Sequence, residues 1–540
     1  MAMFARRALM GFGCGVLLSS GVVFAQSDPE TAPWEGHLPR NLTNAEKQLL
    51  LTQPLQATDV PTPPPTGPVV CPGEYADMDG VLLSWNGSSS WLTIVREMAK
   101  NITTIGNAKA YVVVPSSASL TAATNSITSS GANMALVEFI VAPTNTIWIR
   151  DYGPRYAYEG DCRIIVDHTY NRPRPSDNLI PKAFGQYKGH EVYELDLIHG
   201  GGNYHLNSAT NSFATQLIVN ENPGKTPSQI QQIWHDYQNV NTTITGAFPT
   251  NIDATQHIDM WMQIIGDQKV IINDYPLASG QAHDVIADQV ASDLANAGWT
   301  VTRLPAFNSG GTHYTYANVC IVNDLLLVPM YTISQATSQY NAEALAGWQA
   351  AMPNKTIVQV NCQAIVTAAG VMHCICMHVP KHLGGVNPTA YLKTVNDGSF
   401  VPGESVLVDF ISDDDVGVTE IDIRLSTDGG QTFPYLLASG VDPTTDYQWT
   451  VDRLPTAQGK LRIVARDAVG NEGFDDSDNT FTIDGCYVDC DGNGSLNVFD
   501  YICFGNAYAN AQPYADCDAS GSFNVFDYIC FGNAYVAGCP

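Results

Sequence analysis

Four stretches of this chain hold side chains that could act together on a substrate: WIRDYGP from Trp148 with Asp151, QHIDMWM from Gln256 with His257 and Asp259, YANVCIVND with Asn318, and AAGVMHCICMHVP with Cys374. Singly, each has an ordinary structural reading: an aspartate caps, a His-x-Asp pair satisfies itself, and a cysteine in an apolar run packs a core. Together they form a candidate nucleophile constellation, a cysteine with a histidine and carboxylates elsewhere in the chain. A free thiol has a pKa of about 8.5, so such a site must favour the thiolate, and a bound cation does this as well as a neighbouring imidazolium. Two aspartates suit a planar guanidinium, whose N–H donors form a rigid fork that carboxylates can grip from separate sides. In that reading Asp151, at a strand end running into a loop, holds the cation, while Trp148 walls the slot and offers a cation–π face.

Two further groups of residues extend the chemistry. In YNRPRPSDN, the prolines hold Arg172 and Arg174 extended, with both side chains on one face if the segment is strand-like; solvated arginines in a proline-rich loop are the alternative. Near the C-terminus DCDGNGSLNVFDYICFGNAY from Asp489 is repeated as DCDASGSFNVFDYICFGNAY from Asp516, one unit used twice. Each copy places oxygen donors as a calcium loop does and glycine where the turn is sharpest. These are Asp489, Asp491, Asn493, Gly494, Ser495 and Asp500, then Asp516, Asp518, Ser520, Gly521, Ser522 and Asp527.

The elements that must position these residues are also legible. From about Val69, β-branched runs (GVLLSW, KAYVVVP, RIIVDHTY, KVIINDY, CIVNDLLLVPMY, KTIVQVNC) alternate with helical patterns (WLTIVREMAKNI, TPSQIQQIWHDYQNV, DVIADQVASDLANAGW, NAEALAGWQAAM), which predicts an α/β body. From Pro388 to Ile483 only alternating strands such as SVLVDFIS, EIDIRLSTDG and KLRIVARDAVG appear, as in an immunoglobulin or fibronectin type III sandwich. The N-terminus has two arginines, an apolar run and a Val-Phe-Ala ending, the pattern of a secretory signal cut near Ala25. QPLQATDVPTPPPTGP then reads as an extended linker. The expected organisation is a signal peptide over 1–25, a Pro-rich arm over 26–67, a catalytic body over 68–383, a sandwich over 384–485 and a calcium module over 486–540.

At 540 residues the chain exceeds a single domain. With 25 Lys+Arg against 53 Asp+Glu, its formal net charge of -28 disfavours nucleic acid or an anionic membrane and fits basic peptides and calcium. No later stretch is long and apolar enough to span a bilayer; after cleavage of the signal the mature protein is expected to be secreted or extracytoplasmic. Of the 13 cysteines, Cys14 would leave with the signal, and Cys486, Cys490, Cys503, Cys517, Cys530 and Cys539 crowd the tail. The equal spacing of Cys490/Cys503 and Cys517/Cys530 suggests disulfides within each repeat, with Cys486 and Cys539 clasping the ends; other connectivities stay open. Cys374 must stay reduced, and on a strand Cys376 would share its face; Cys376 is expected to be buried and inert.

The body from about Pro68 to His382 resembles the bacterial-type peptidylarginine deiminases of the guanidino-group-modifying superfamily, with agmatine deiminases as nearest cousins; WIRDYGP, GGN at Gly201–Asn203, HID and HCICM stand in the family's order. The resemblance implies a five-bladed α/β propeller with the site in its central channel, no cofactor for catalysis, and conversion of arginine to citrulline and ammonia. It implies that Cys374 attacks the guanidinium carbon, His257 protonates the leaving ammonia and then activates water, Asp151 and Asp259 bind the substrate nitrogens, and Asn318 lies in the site. It also implies that Arg172 and Arg174 grasp the free carboxylate of a C-terminal arginine. A histidine with a pKa of about 6.5 suits both half-reactions. One departure is Asn207, where an acidic residue is expected.

The tail from Cys486 resembles a type I dockerin, which implies folding on calcium and a cohesin-like partner, although its cysteines and its Val-Phe pairs depart from that family. The competing readings are an agmatine or other small-guanidine hydrolase, which needs no Arg172/Arg174 clamp, and a silent arginine-binding module displayed by the tail. A cysteine peptidase is disfavoured, because paired aspartates do not stabilise an oxyanion.

Overall fold

The computed structural model describes residues 37–57, 61–518 and 520–539. The signal peptide and its cut near Ala25 lie outside the described residues. The body is α/β and runs through the same local order five times: a short strand, an antiparallel partner, a helix, and a third strand parallel to the second. Arg155–Glu159 pairs antiparallel with Cys162–Tyr170, the helix Ile180–Lys188 follows, and Val192–His199 returns parallel. His205–Leu206, Asn211–Thr215, Pro227–Gln238 and Asn241–Thr245 repeat this order, as do Met262–Gly266, Lys269–Asp274, Ala282–Asn296 and Thr300–Pro305. Cys320–Val322, Leu325–Met330, Asn341–Ala351 and Thr356–Asn361 form a fourth unit.

The fifth unit is closed by the two ends of the body. Cys376–Pro380 pairs antiparallel with Met78–Ser84, which continues through the helix Ser89–Thr104 to the parallel strand Lys109–Val114. Central strands such as Met78–Ser84 and Cys162–Tyr170 are buried along nearly their whole length, because each sheet is covered on both faces. That is why their sequences are continuous apolar runs rather than alternating ones.

The repetition places the candidate residues. In four units the few residues before the first short strand form a tight turn, Ile149–Tyr152, Gly201–Asn203, Ile258–Met260 and His373–Ile375, and in the remaining one a bend precedes Asn318 and Cys320. Asp151, Gly202, Asp259, Asn318 and Cys374 therefore occupy equivalent places in five successive units. WIRDY is thus a short helical turn leading into a strand, not the strand end expected, since Gly153–Pro154 ends it and the following RYAYE pairs. Cys374 likewise sits in a 3-10 turn while Cys376 begins a strand, so the two do not share a strand face.

Residues 389–483 contain only strands, as expected, among them Val418–Ser426 paired with Thr456–Asp467 around Ile421, Ile423, Leu461, Ile463 and Trp449. Asp413 of this region is buried against the body. It accepts Arg163 Nε at 2.8 Å and Nη2 at 3.0 Å, and lies 3.0 Å from His190 Nε2 and 3.3 Å from His382 Nδ1. Burial opposes its ionisation, yet His190, His382 and Arg163 hold its carboxyl well below the usual carboxylate range. Because the folded value is depressed, its contribution to stability is present above about pH 4 and is lost as pH falls toward the folded value. Asp413→Ala is expected to cost about 3–5 kcal/mol, since it strands the buried Arg163 charge; denaturant unfolding at neutral pH measures this.

The tail contains two helices, Val498–Ala509 and Val525–Ala537, capped by Asn497 and Asn524 and packed through Phe504 stacked on Phe531. Disulfides join Cys490 to Cys503, Cys517 to Cys530 and Cys486 to Cys539, the pairing that the spacing suggested. The other described cysteines, Cys71, Cys162, Cys320, Cys362, Cys374 and Cys376, are free and buried. No helix of the described residues is long and apolar enough to cross a membrane.

Candidate active site

The turns of the five units enclose one buried slot, and a guanidinium lies in it: that of Arg40, from the segment preceding the body. Its Nε donates to Asp151 Oδ2 at 2.9 Å and its Nη2 to Asp151 Oδ1 at 2.7 Å. Nη2 also donates to Asp259 Oδ2 at 2.9 Å, and Nη1 donates to Asp259 Oδ1 at 3.1 Å and to Cys374 Sγ at 2.6 Å. All five N–H donors of the cation are thereby used, and each carboxylate takes two of them in a fork. His257 Nδ1 is the third neighbour of Nη2 at 2.8 Å, and it lies 3.4 Å from Asp151 Oδ1. Asn318 Nδ2 reaches Cys374 Sγ at 3.2 Å and the Asp259 carbonyl at 2.9 Å. The structure therefore brings together Asp151, His257, Asp259, Asn318 and Cys374, as the sequence predicts.

Burial works against ionisation of the aspartates, but the Arg40 guanidinium holds both Asp151 and Asp259 below the usual carboxylate range. Burial pushes the Cys374 thiol well up, and both aspartates add to this, while Arg40 pulls the other way. The cation thus offsets part of what burial and the two carboxylates impose on the thiol, so filling the slot shifts Cys374 toward ionisation relative to the empty slot.

Glycine forms the slot's walls where any side chain would enter it. A Cβ at Gly202 would lie 1.8 Å from Arg40 Nη2 and 2.7 Å from Asp151 Oδ1, and one at Gly370 would lie 3.1 Å from Cys374 Cβ and 2.6 Å from the Trp148 ring. Gly202→Ala is expected to cost about 1–3 kcal/mol of guanidinium binding, roughly a tenfold to hundredfold rise in KM for a guanidinium ligand that is turned over there. Steady-state kinetics beside a melting curve separate this from loss of fold.

A second set of charges stands behind the slot and was not anticipated from the sequence. His373 Nδ1 contacts Asp259 Oδ2 at 2.8 Å and its Nε2 contacts Glu74 Oε2 at 3.0 Å; Arg150 Nη1 donates to Glu74 Oε1 at 2.7 Å. Burial and Arg150 oppose a charge on His373, yet Glu74 and Asp259 hold its pKa above the ordinary value. His373 therefore fixes the rotamer of Asp259. Its adjacency to Cys374 in HCICM was the available signal; Glu74 had none.

Two expectations need correction. Among the described residues Trp148 makes no cation–π contact; its indole Nε1 donates to the Leu38 carbonyl at 3.0 Å, so it holds main chain and not the cation. Arg172 and Arg174 are neither solvated nor a parallel pair. Arg174 opens a helical turn at Pro175–Asn178, and both side chains are buried. Arg172 Nε donates to the Arg40 carbonyl at 3.2 Å, and Arg174 donates through Nη2 to the Pro39 and Asn41 carbonyls at 2.8 and 3.3 Å and through Nε to Glu46 Oε1 at 2.8 Å. They grip a peptide backbone that continues past its arginine, rather than a terminal carboxylate. At the departure noted above, the Asn207 amide donates to the Asp267 carbonyl and its oxygen accepts from Ala209 and Asn211, which closes a turn.

The family described as Porphyromonas-type peptidyl-arginine deiminase matches residues 70–380, more than half of the chain. The chain belongs to this family. Among related proteins, one from Shewanella sp. (strain MR-4) named an agmatine deiminase is 27% identical over 377 residues, which cover 61% of this chain and 98% of that protein. The solved agmatine deiminase of Enterococcus faecalis matches with a TM-score of 0.52 at 21% identity, covering 61% of this chain and 100% of its own. A Porphyromonas gingivalis structure described as an arginine deiminase gives 0.51 at 19% identity, covering 58% and 99%. These structures share the fold of the body. The deiminase family uses a cysteine nucleophile and needs no cofactor for catalysis, and the body is accordingly an amidine hydrolase.

Proposed function

We propose that this protein is a secreted peptidylarginine deiminase, hydrolysing the guanidinium of arginine within peptides to citrulline and ammonia through a Cys374 thiouronium. The observation that carries this reading is that the slot accepts an arginine embedded in peptide chain. The carbonyls of Leu38, Pro39, Arg40 and Asn41 are held by Trp148, Arg174 and Arg172, and the Arg40 amide donates to the Ala368 carbonyl at 2.9 Å. Contacts to main chain alone fit any peptide, whereas a small guanidine uses none of them. Arg172 and Arg174 therefore serve internal arginines, and a free carboxylate is not required.

Cys374 Sγ attacks the guanidinium carbon, the bond to Nη2 breaks, and His257, at Nη2, delivers the proton that ammonia carries away. The same imidazole then takes a proton from water attacking the thiouronium carbon, and Cys374 leaves. Asp151, Asp259 and Asn318 orient the cation and the sulfur. The five units arranged as a five-bladed propeller, with their turns at the central channel, account for the convergence of these residues.

The test is ammonia and citrulline release by the full chain carrying Arg40→Ala, which clears the slot, on a peptide with internal arginine, one ending in arginine, free arginine and agmatine. Turnover of both peptides, with a raised KM in Arg172→Ala, is expected. Preference for agmatine, the substrate in the names of the relatives, would place the chain among small-guanidine hydrolases.

The remaining regions are read as an Ig-like sandwich over 384–485 and a dockerin-like calcium module over 486–540. Carboxylate oxygens of Asp489, Asp491 and Asp500 lie within 4.8 Å of one another, as do those of Asp516, Asp518 and Asp527. Asp527 Oδ1 is buried without a hydrogen-bond partner, and burial and the neighbouring Asp527 and Asp518 raise the pKa of Asp516. A cation relieves both strains, so the donor set fits calcium. Asn493 and Ser520 flank the carboxylates; the Ser495 carbonyl accepts from Asn497, and the Ser522 carbonyl accepts from Asn524 and from Ser520 Oγ at 3.3 Å. Chelation is expected to remove about 3–4 kcal/mol from the tail's stability if calcium exceeds its Kd by roughly 100- to 1,000-fold, lowering the tail's calorimetric transition while leaving deimination unchanged. Val498, Phe499 and Ile502, with their counterparts Val525, Phe526 and Ile529, are exposed and apolar, which fits a cohesin-like partner.

A further inference from the structure

The chain places its own arginine in the slot, and the segment that delivers it is built to stay there. Arg40 is fully buried, and the residues after it form a capped helix, Asn44–Thr52, in which Thr43 and Glu46 make a capping box. Glu46 binds Arg174 at 2.8 Å, so one of the two arginines that hold the peptide backbone also holds the arm's helix. Beside that helix a cavity of about 710 Å³ is lined by Leu49, residues 53–57, residues 167–170, Arg172 and Arg174, among others. The chain then returns to the body, where the Thr66 and Gly67 amides donate to Glu159 Oε1, both at 2.9 Å.

We propose that Arg40 is a modification site and the enzyme's own first substrate: the chain deiminates Arg40 in cis, and the product releases the arm and opens the slot. The inference rests on the peptidylarginine reading above. Every element of the reaction faces Arg40, with Cys374 Sγ 2.6 Å from Nη1 and His257 Nδ1 2.8 Å from Nη2. The Sγ–Cζ bond forms as the Cζ–Nη2 bond breaks and ammonia leaves with a proton from His257. Water then adds to Cζ, the Sγ–Cζ bond breaks, and the side chain becomes a neutral ureido group. The balance is arginine plus water giving citrulline plus ammonia, and solvent is the only co-reactant.

The geometry also states why the product leaves. Nη2 donates to Asp151 Oδ1 at 2.7 Å and Asp259 Oδ2 at 2.9 Å. An oxygen in its place sets an acceptor against two carboxylate oxygens, and the positive charge that balanced both aspartates is gone. What remains is main-chain contact and the Glu46–Arg174 pair, which a competing peptide arginine can displace. The arm thus acts as a lock used once.

Tandem mass spectrometry of the peptide containing residue 40, taken from the full chain and from Cys374→Ala, tests this beside turnover of an added arginine peptide by Arg40→Ala. The expected result is a ureido side chain at residue 40 in the unsubstituted chain and intact arginine in Cys374→Ala, with the latter left unconverted when the two are mixed. Conversion of Cys374→Ala by the mixed active chain at the rate of an ordinary peptide would overturn the reaction in cis. Intact Arg40 in the unsubstituted chain, while Arg40→Ala turns over added peptide, overturns self-deimination and leaves the function standing. Intact Arg40 with an inactive Arg40→Ala overturns the peptidylarginine reading and this proposal with it.

Discussion

Replacing Cys374 by alanine is expected to abolish deimination, with kcat falling by more than about a thousandfold, as is typical when a covalent nucleophile is removed. The slot survives the change, because the grip on the cation comes from Asp151 and Asp259, whose oxygens lie 2.7–3.1 Å from the guanidinium nitrogens. An arginine peptide therefore still binds Cys374→Ala, and a Kd near the original KM is expected by calorimetry on a background of Arg40→Ala. Loss of both binding and turnover would show that Cys374 is structural. Retained turnover would show that the nucleophile is elsewhere.

Asp151→Asn gives the second large effect, of opposite character. The carboxylate accepts Nε and Nη2 of the cation, receives the Gly202 amide at 3.3 Å, and approaches His257. An amide of the same shape loses one acceptor and all of the charge, which leaves a buried cation half balanced. Breaking such a pair costs about 3–5 kcal/mol, roughly a hundredfold to several-thousandfold in kcat/KM. Because the aspartates share one cation, Asp259→Asn is not additive with it. The pH profile distinguishes the two. Asp259 is braced by His373, which Glu74 holds from its other side, so its loss also removes one of the two carboxylates that raise the pKa of that buried imidazole, whereas the imidazole beside Asp151 is His257 of the slot itself.

How much of this was legible in the sequence follows from what each feature depends on. The alternation of apolar runs and amphipathic helices marked the body, since each strand is covered on both faces and each helix on one. Asp151, His257, Asp259, Asn318 and Cys374 could be singled out because each sits in a turn with its own local signature. Their convergence could not be derived from periodicity, as it arises from five repeats whose sequences share almost nothing beyond a polar residue before a short strand.

Glu74 and His373 escaped notice because a buried charge network has no sequence period. Arg40 escaped for a different reason: LPRNLTNAE reads as a polar lead-in to a helix, and only the folded chain shows that its one arginine balances two buried carboxylates. The Arg172/Arg174 pair was expected to lie extended with both side chains on one face, and it does not. Pro175 starts a helical turn rather than extending a strand, so the two guanidiniums diverge toward successive carbonyls.

The most direct test of the central claim, a cation slot between two aspartates that aims at a single thiol, is selective alkylation. The full chain with Arg40→Ala is treated with chloroacetamidine and, separately, with chloroacetamide, which has nearly the same shape but no charge, and the labelled cysteine is mapped by mass spectrometry. The predicted result is that the amidinium reagent labels Cys374 far faster than the neutral one, and that an arginine peptide protects it. Equal rates for the two reagents, or first labelling at Cys376 or another cysteine, would contradict the account.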